Sequence, residues 1–137
     1  MITLKDFYKG RDITYADQLS DAIEHESGIT VERVNLLLTK YRMETRDYSN
    51  RIVTSGWRPA AVNAATPGAA KMSNHMLGKA CDIADGDGKL DEWLMTDIGT
   101  KALEDCSLWH EHPRDTEGWA HVQTVPPGSG KRHFYAK

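Results

Sequence analysis

Along the first 45 residues, apolar positions recur at helical spacing. Tyr15, Leu19, Ala22 and Ile23 share one face of a segment over residues 14–27, and Val31, Val34, Leu38 and Tyr41 share one face over 30–41. The pattern predicts two helices, the first capped by Thr14 and ended by Gly28, giving a helical N-terminal part (1–45) packed on the core. Beyond it the period changes. Residues 51–58 read as a strand running into Pro59, and 60–70, small residues with Pro67-Gly68, as a surface loop. Residues 79–84 predict a second strand. Residues 90–104 predict a third helix with Leu90, Trp93, Leu94 and Ile98 turned inward, although Gly99 weakens its second half. Residues 109–112 and 119–124 are short strands, and 132–135 can pair back on an edge. Helices first, strands later and no βαβ rhythm predict an α+β fold with a mainly antiparallel sheet and flanking helices.

Size and composition narrow the class. The chain has 137 residues, 39% hydrophobic and 27% charged, which fits a single globular domain over 1–137 and an expected monomer. It contains no run of about eighteen apolar residues, so no membrane span is expected. Met1 to Lys9 lacks the apolar core of a secretory signal, which predicts synthesis in a cytoplasm without a signal peptide. The net charge is −3 and the sole basic cluster is Lys131-Arg132-His133, so nucleic acid is not an expected partner. Cys81 and Cys106 read as buried free thiols, with Cys81 on the strand face opposite Asp82.

Candidate chemistry centres on Ser73-Asn74-His75-Met76-Leu77-Gly78-Lys79-Ala80-Cys81-Asp82 and, about forty residues later, Gly118-Trp119-Ala120-His121-Val122-Gln123. His75, Asp82 and His121 form a three-ligand set suited to zinc, with a fourth position left open. Gly78 permits a positive φ or a close approach between the first two, Ala80 takes little room, and Ser73 can hold the loop. Of the other histidines, His25 and His133 read as ordinary surface or satisfied residues. His110 and His112 lie on one side of a strand but lack a third ligand. The run from Asp85 to Glu92 fails as a calcium loop, because either glycine alignment puts Ile83 or Cys81 at the first ligand position. It reads as a polar turn in which Asp87 caps the next helix. Neither a His-Glu-x-x-His helix nor a Gly-x-Ser-x-Gly elbow occurs.

The blocks Ser55-Gly56-Trp57-Arg58, residues 73–82 and residues 118–123 resemble the M15 family of zinc D,D-carboxypeptidases and peptidoglycan endopeptidases. The resemblance covers about residues 52–124. It implies a fold shared with hedgehog domains, Zn2+ held by His75, Asp82 and His121, and an Arg58 that binds or polarises substrate. Ser73 and Trp119 are further candidates for substrate contact. Many members carry the catalytic acid three residues before the last histidine, where this chain has Gly118. Glu117 is the nearest replacement, though four strand residues span about 13 Å. Glu111 is the other contender, and Glu117 is slightly favoured. The expected function is zinc-dependent hydrolysis of peptidoglycan stem peptides at the cell wall, as by a bacteriophage lysin. The alternatives are a non-catalytic zinc-binding wall or virion module of the same fold and a hedgehog-like domain that binds a protein partner.

Overall fold

The computed structural model describes residues 1–136. The chain begins with two short helices, α1 (Leu4–Tyr8) and α2 (Arg11–Thr14), and a 3-10 turn over Ala16–Gln18. A 25-residue helix, α3 (Asp21–Thr45), follows. Two helices meeting at Gly28 were expected; the structure has one helix through it. Ser20, not Thr14, caps α3 by accepting from the Ile23 N–H. A glycine costs a helix only about 1 kcal/mol. The buried stripe of Val31, Val34, Leu37, Leu38 and Tyr41 outweighs that cost.

A five-stranded sheet comes next. Strand β1 (Val53–Ser55) leads to α4 (Ala60–Ala65), then β2 (Ala80–Ala84), α5 (Lys89–Leu94), α6 (Asp97–Asp105), β3 (Trp109–Glu111), β4 (Trp119–Gln123) and β5 (His133–Phe134). The order across the sheet is β1-β2-β4-β3-β5, antiparallel throughout except for the β3–β5 pair. The fold is therefore α+β, as the patterning predicts. One face of the sheet carries Val53, Cys81, Ile83, Ala120 and Val122 into the core, against α3, α5 and α6. Cys81 and Cys106 are both buried and free, and burial pushes both thiols up in pKa.

Local chemistry explains three further departures. Residues 60–65 are helical, not loop, because Pro59 enters a run of alanines with strong helix preference. The helix expected over 90–104 is two. Thr96 caps α6 by accepting from the Gly99 N–H, and Gly99 lies so close to the Trp93 carbonyl that a Cβ would meet it at 1.9 Å. The break turns Ile98 outward, 55% exposed. The cap on α5 is chiefly the buried Asp85, which accepts from the Leu90 and Asp91 N–H groups; Asp87 accepts only from Lys89.

Candidate metal centre

The second face of the sheet carries the polar residues. In the β2–β4 register Asp82 lies across from His121, and Ser55 of β1 pairs with Asp82 on its other side. Strands β3 and β4 pair Trp109 with Gln123 and His110 with Val122, so one more step sets Glu111 across from His121. Glu111 in turn pairs with Phe134 of β5. Directly opposed residues share a face. Ser55, Asp82, His121, Glu111 and Phe134 therefore form one row across all five strands.

His75 reaches this row from outside the sheet. It sits in a 3-10 turn, Asn74–Leu77, whose N-cap Ser73 accepts from the His75 N–H at 3.1 Å. Its carbonyl accepts from the Arg58 N–H, and its Nδ1 lies 2.8 Å from the Gly56 carbonyl. A carbonyl only accepts, so Nδ1 carries the proton and Nε2 presents a lone pair. Gly78 ends the turn at φ 74° and also packs so tightly on α3 that a Cβ would meet Ser27 Oγ at 2.5 Å. The Thr30 hydroxyl donates to the Gly78 carbonyl at 2.7 Å and ties the turn to α3. Both of glycine's licences, positive φ and close approach, are used here.

These supports bring three side chains together. His75 Nε2 is 3.3 Å from Asp82 Oδ2, and His121 Nδ1 is 2.7 Å from Asp82 Oδ1. One donor atom from each of the three lies within 4.8 Å of the others, and no other such group occurs among the described residues. The two rings meet edge to face at 5.2 Å. Burial lowers the His75 pKa, against the pull of Asp82, so this ring is held neutral as a ligand must be. For Asp82, burial works upward, but the two histidines outweigh it and hold the carboxyl well below its usual range. His121 is opposed by burial yet raised overall by its bond to Asp82, with Gln123 and Glu111 adding to it. Two imidazole nitrogens and a carboxylate oxygen, buried and within reach of a single point, fit a zinc ion.

Arg58 lines the same region. It is buried, its Nη2 donates to Ser73 Oγ at 3.2 Å, and its Nε has no partner. Among the described residues it forms no ion pair, and burial lowers its pKa despite the charge of Asp82. A buried guanidinium left short of acceptors is suited to take an anionic or carbonyl oxygen. Trp119 is half-buried on the His121 face, two residues along β4.

The two candidate acids part company. Glu111 is half-buried in the row, and its pKa is raised by burial first, with His121 pulling it down and Asp82 pushing it up. Glu117 is exposed and lines a separate hollow with Asp85, Gly86, Asp87, Gly88, Asp91 and Glu92, none of them in the triad. Gly118 does bend the chain, at φ 94°, and its carbonyl accepts from the Asp85 N–H. The structure thus gives the place beside His121 to Glu111, against the slight sequence preference for Glu117.

The remaining histidines stay apart. His110 is fully buried on the opposite face, with Nε2 at 2.7 Å from Asp91 and Nδ1 at 2.9 Å from His133. His112 caps the turn Pro113–Asp115 and stacks on Tyr135, so it does not converge with His110. His25 is exposed. Sequence reasoning missed Gln123, whose Oε1 meets His121 Nε2 at 2.9 Å. The signal was its two-residue spacing from His121 on one strand, which puts both on one face.

Comparison with known families gives a match to the model for peptidase M15 over residues 12–107, more than half of the chain. The matched segment includes Arg58, Ser73, His75 and Asp82 and ends before Glu111 and His121, which the sheet register supplies. No curated protein and no solved structure gives a significant match. A family match of this extent, joined to a metal-competent cluster in the fold, places the chain in peptidase family M15, a family of zinc-dependent peptidases.

Proposed function

We propose that the protein is a zinc-dependent metallopeptidase that hydrolyses peptide bonds of bacterial peptidoglycan stem peptides, as a D,D-carboxypeptidase or endopeptidase, in the manner of a phage lysin. The observation that carries the catalytic reading is the row Asp82–His121–Glu111, which sets a carboxylate of raised pKa beside a three-donor metal cluster. The wall substrate rests on the family. His75 Nε2, Asp82 and His121 Nδ1 would hold the zinc. When bound, it supplies a Lewis acid that polarises the scissile carbonyl and makes water more acidic.

The side chains supply the rest. Glu111 accepts a proton from the attacking water and passes it to the leaving amine, a role suited to a carboxyl whose pKa burial has raised. Arg58 offers its guanidinium to the oxygen that gains charge in the transition state, or to a substrate carboxylate. Ser73 orients the guanidinium from one side, and Trp119 provides an apolar wall next to His121.

The test uses purified cell walls and counts new amines and released amino acids with and without a chelator. Glu111→Gln should lower turnover by about 100-fold or more while zinc content is unchanged, and Glu117→Gln should leave turnover within about threefold of the parent. Full activity in Glu111→Gln would reject Glu111 as the base. A parent that binds zinc but releases nothing would favour a non-catalytic wall-binding module.

A further inference from the structure

His75 and His121 are oriented by different means. His75 is fixed by the main-chain carbonyl of Gly56, whereas both ring nitrogens of His121 meet side chains, Asp82 at Nδ1 and Gln123 at Nε2. Gln123 is 5% exposed, and its own amide is not free to turn. Its Nε2 donates to the Val125 carbonyl at 2.8 Å, which can only accept, so Oε1 must face His121. An amide oxygen also only accepts. His121 Nε2 therefore carries a proton that Gln123 holds, and the ionised Asp82 accepts from Nδ1–H at 2.7 Å, the proton whose place a bound cation would take. The carbonyl of Val125 thus sets the amide, the amide sets the imidazole, and the imidazole presents one defined nitrogen. Ala80, across from Gln123 in the β2–β4 register, leaves room for the amide.

We infer that Gln123 is a positioning residue for the metal centre, holding His121 in the tautomer and ring orientation that offers Nδ1 to the cation. The inference rests on the proposed metal-binding role of His75, Asp82 and His121. Partners of this kind orient a ligand, and their loss typically weakens metal binding about 10- to 100-fold. Glutamate at this position keeps an acceptor for His121 Nε2–H, while leucine and methionine remove it at similar size.

The experiment measures zinc affinity of the intact chain by competition with a chromophoric chelator, with circular dichroism to check folding. Gln123→Leu should bind zinc at least about tenfold more weakly than the parent, and Gln123→Glu should recover to within about threefold of it. If Gln123→Leu fails to fold, Gln123→Met carries the same expectation. A folded Leu or Met variant with parental affinity overturns the inference. So does a Glu variant as weak as the Leu variant, since an acceptor for His121 Nε2–H would then not restore binding. A parent that does not bind zinc at all overturns the metal-site reading itself, a result distinct from either.

Discussion

Asp85 is 1% exposed, and its two carboxylate oxygens accept from three donors. Arg51 Nη1 lies 2.9 Å from Oδ1, the Leu90 N–H donates to the same oxygen at 3.0 Å, and the Asp91 N–H donates to Oδ2 at 2.8 Å. Arg51 also pairs with Asp47 and is held by the Tyr41 hydroxyl. Asp85→Ala would leave two buried N–H groups unmet and take one partner from the guanidinium. We expect a loss of about 3 kcal/mol in urea unfolding, with zinc affinity unchanged in the folded fraction. A loss below about 1 kcal/mol would show that water takes over the bonds. At the same scale, the triad was legible because histidine and aspartate types recur at separated positions with small residues between. Which of Glu111 and Glu117 lies beside His121 was not legible. It turns on which β3 residue faces His121, and that follows from the path of the turn over residues 112–118, which spacing alone does not give. The cap on α5 misled for a related reason: Asp85 and Asp87 are equivalent in pattern and differ only in burial.

At the scale of elements, two glycines behave in opposite ways. Gly28 lies inside α3 with helical backbone, and a Cβ there would meet nothing within 4 Å. Gly28→Ala should stabilise the fold by about 0.5–1 kcal/mol, since alanine loses less conformational freedom in a helix. Thermal unfolding measures this, and a fall in midpoint would reveal crowding on that face. At Gly56, by contrast, a Cβ would meet the Phe7 carbonyl oxygen at 2.1 Å, between the end of β1 and α1. The same glycine offers its carbonyl to His75, so its backbone serves packing and site together. Sequence patterning found the strands well because alternation is local. It split α3 because a glycine signals a stop only when nothing beyond it is buried, and here Thr30, Val31 and Val34 are.

For the whole molecule, the sheet separates two histidine systems, the candidate metal cluster on one face and His110 with His133 on the other. In the second, His110 Nε2 lies 2.7 Å from Asp91 Oδ1, His110 Nδ1 lies 2.9 Å from His133 Nδ1, and His133 Nε2 lies 2.8 Å from the Thr100 hydroxyl, so every ring nitrogen of the pair has a partner. Burial, then repulsion from His110, His112 and Arg132, holds the His133 pKa down to about 4. An unfolded histidine titrates near 6.5. Between these values the unfolded chain binds a proton that the folded chain does not, so stability rises with pH across the window. The contribution is complete above about 6.5 and is lost as pH falls to about 4. His75 pulls in the same direction through its own burial, whereas the raised pKa values of Asp91 and Glu111 work against it inside the window, and that of His121 acts above it. The prediction is therefore a difference between proteins, not an absolute slope. Metal-free His133→Asn should lose less stability than the metal-free parent between pH 6.5 and 4.5, by about 1 kcal/mol once solvent screening of a half-buried ring is allowed for. Denaturant midpoints at four or five pH values would measure it, and parallel curves for the two proteins would assign the acid sensitivity to the other face of the sheet.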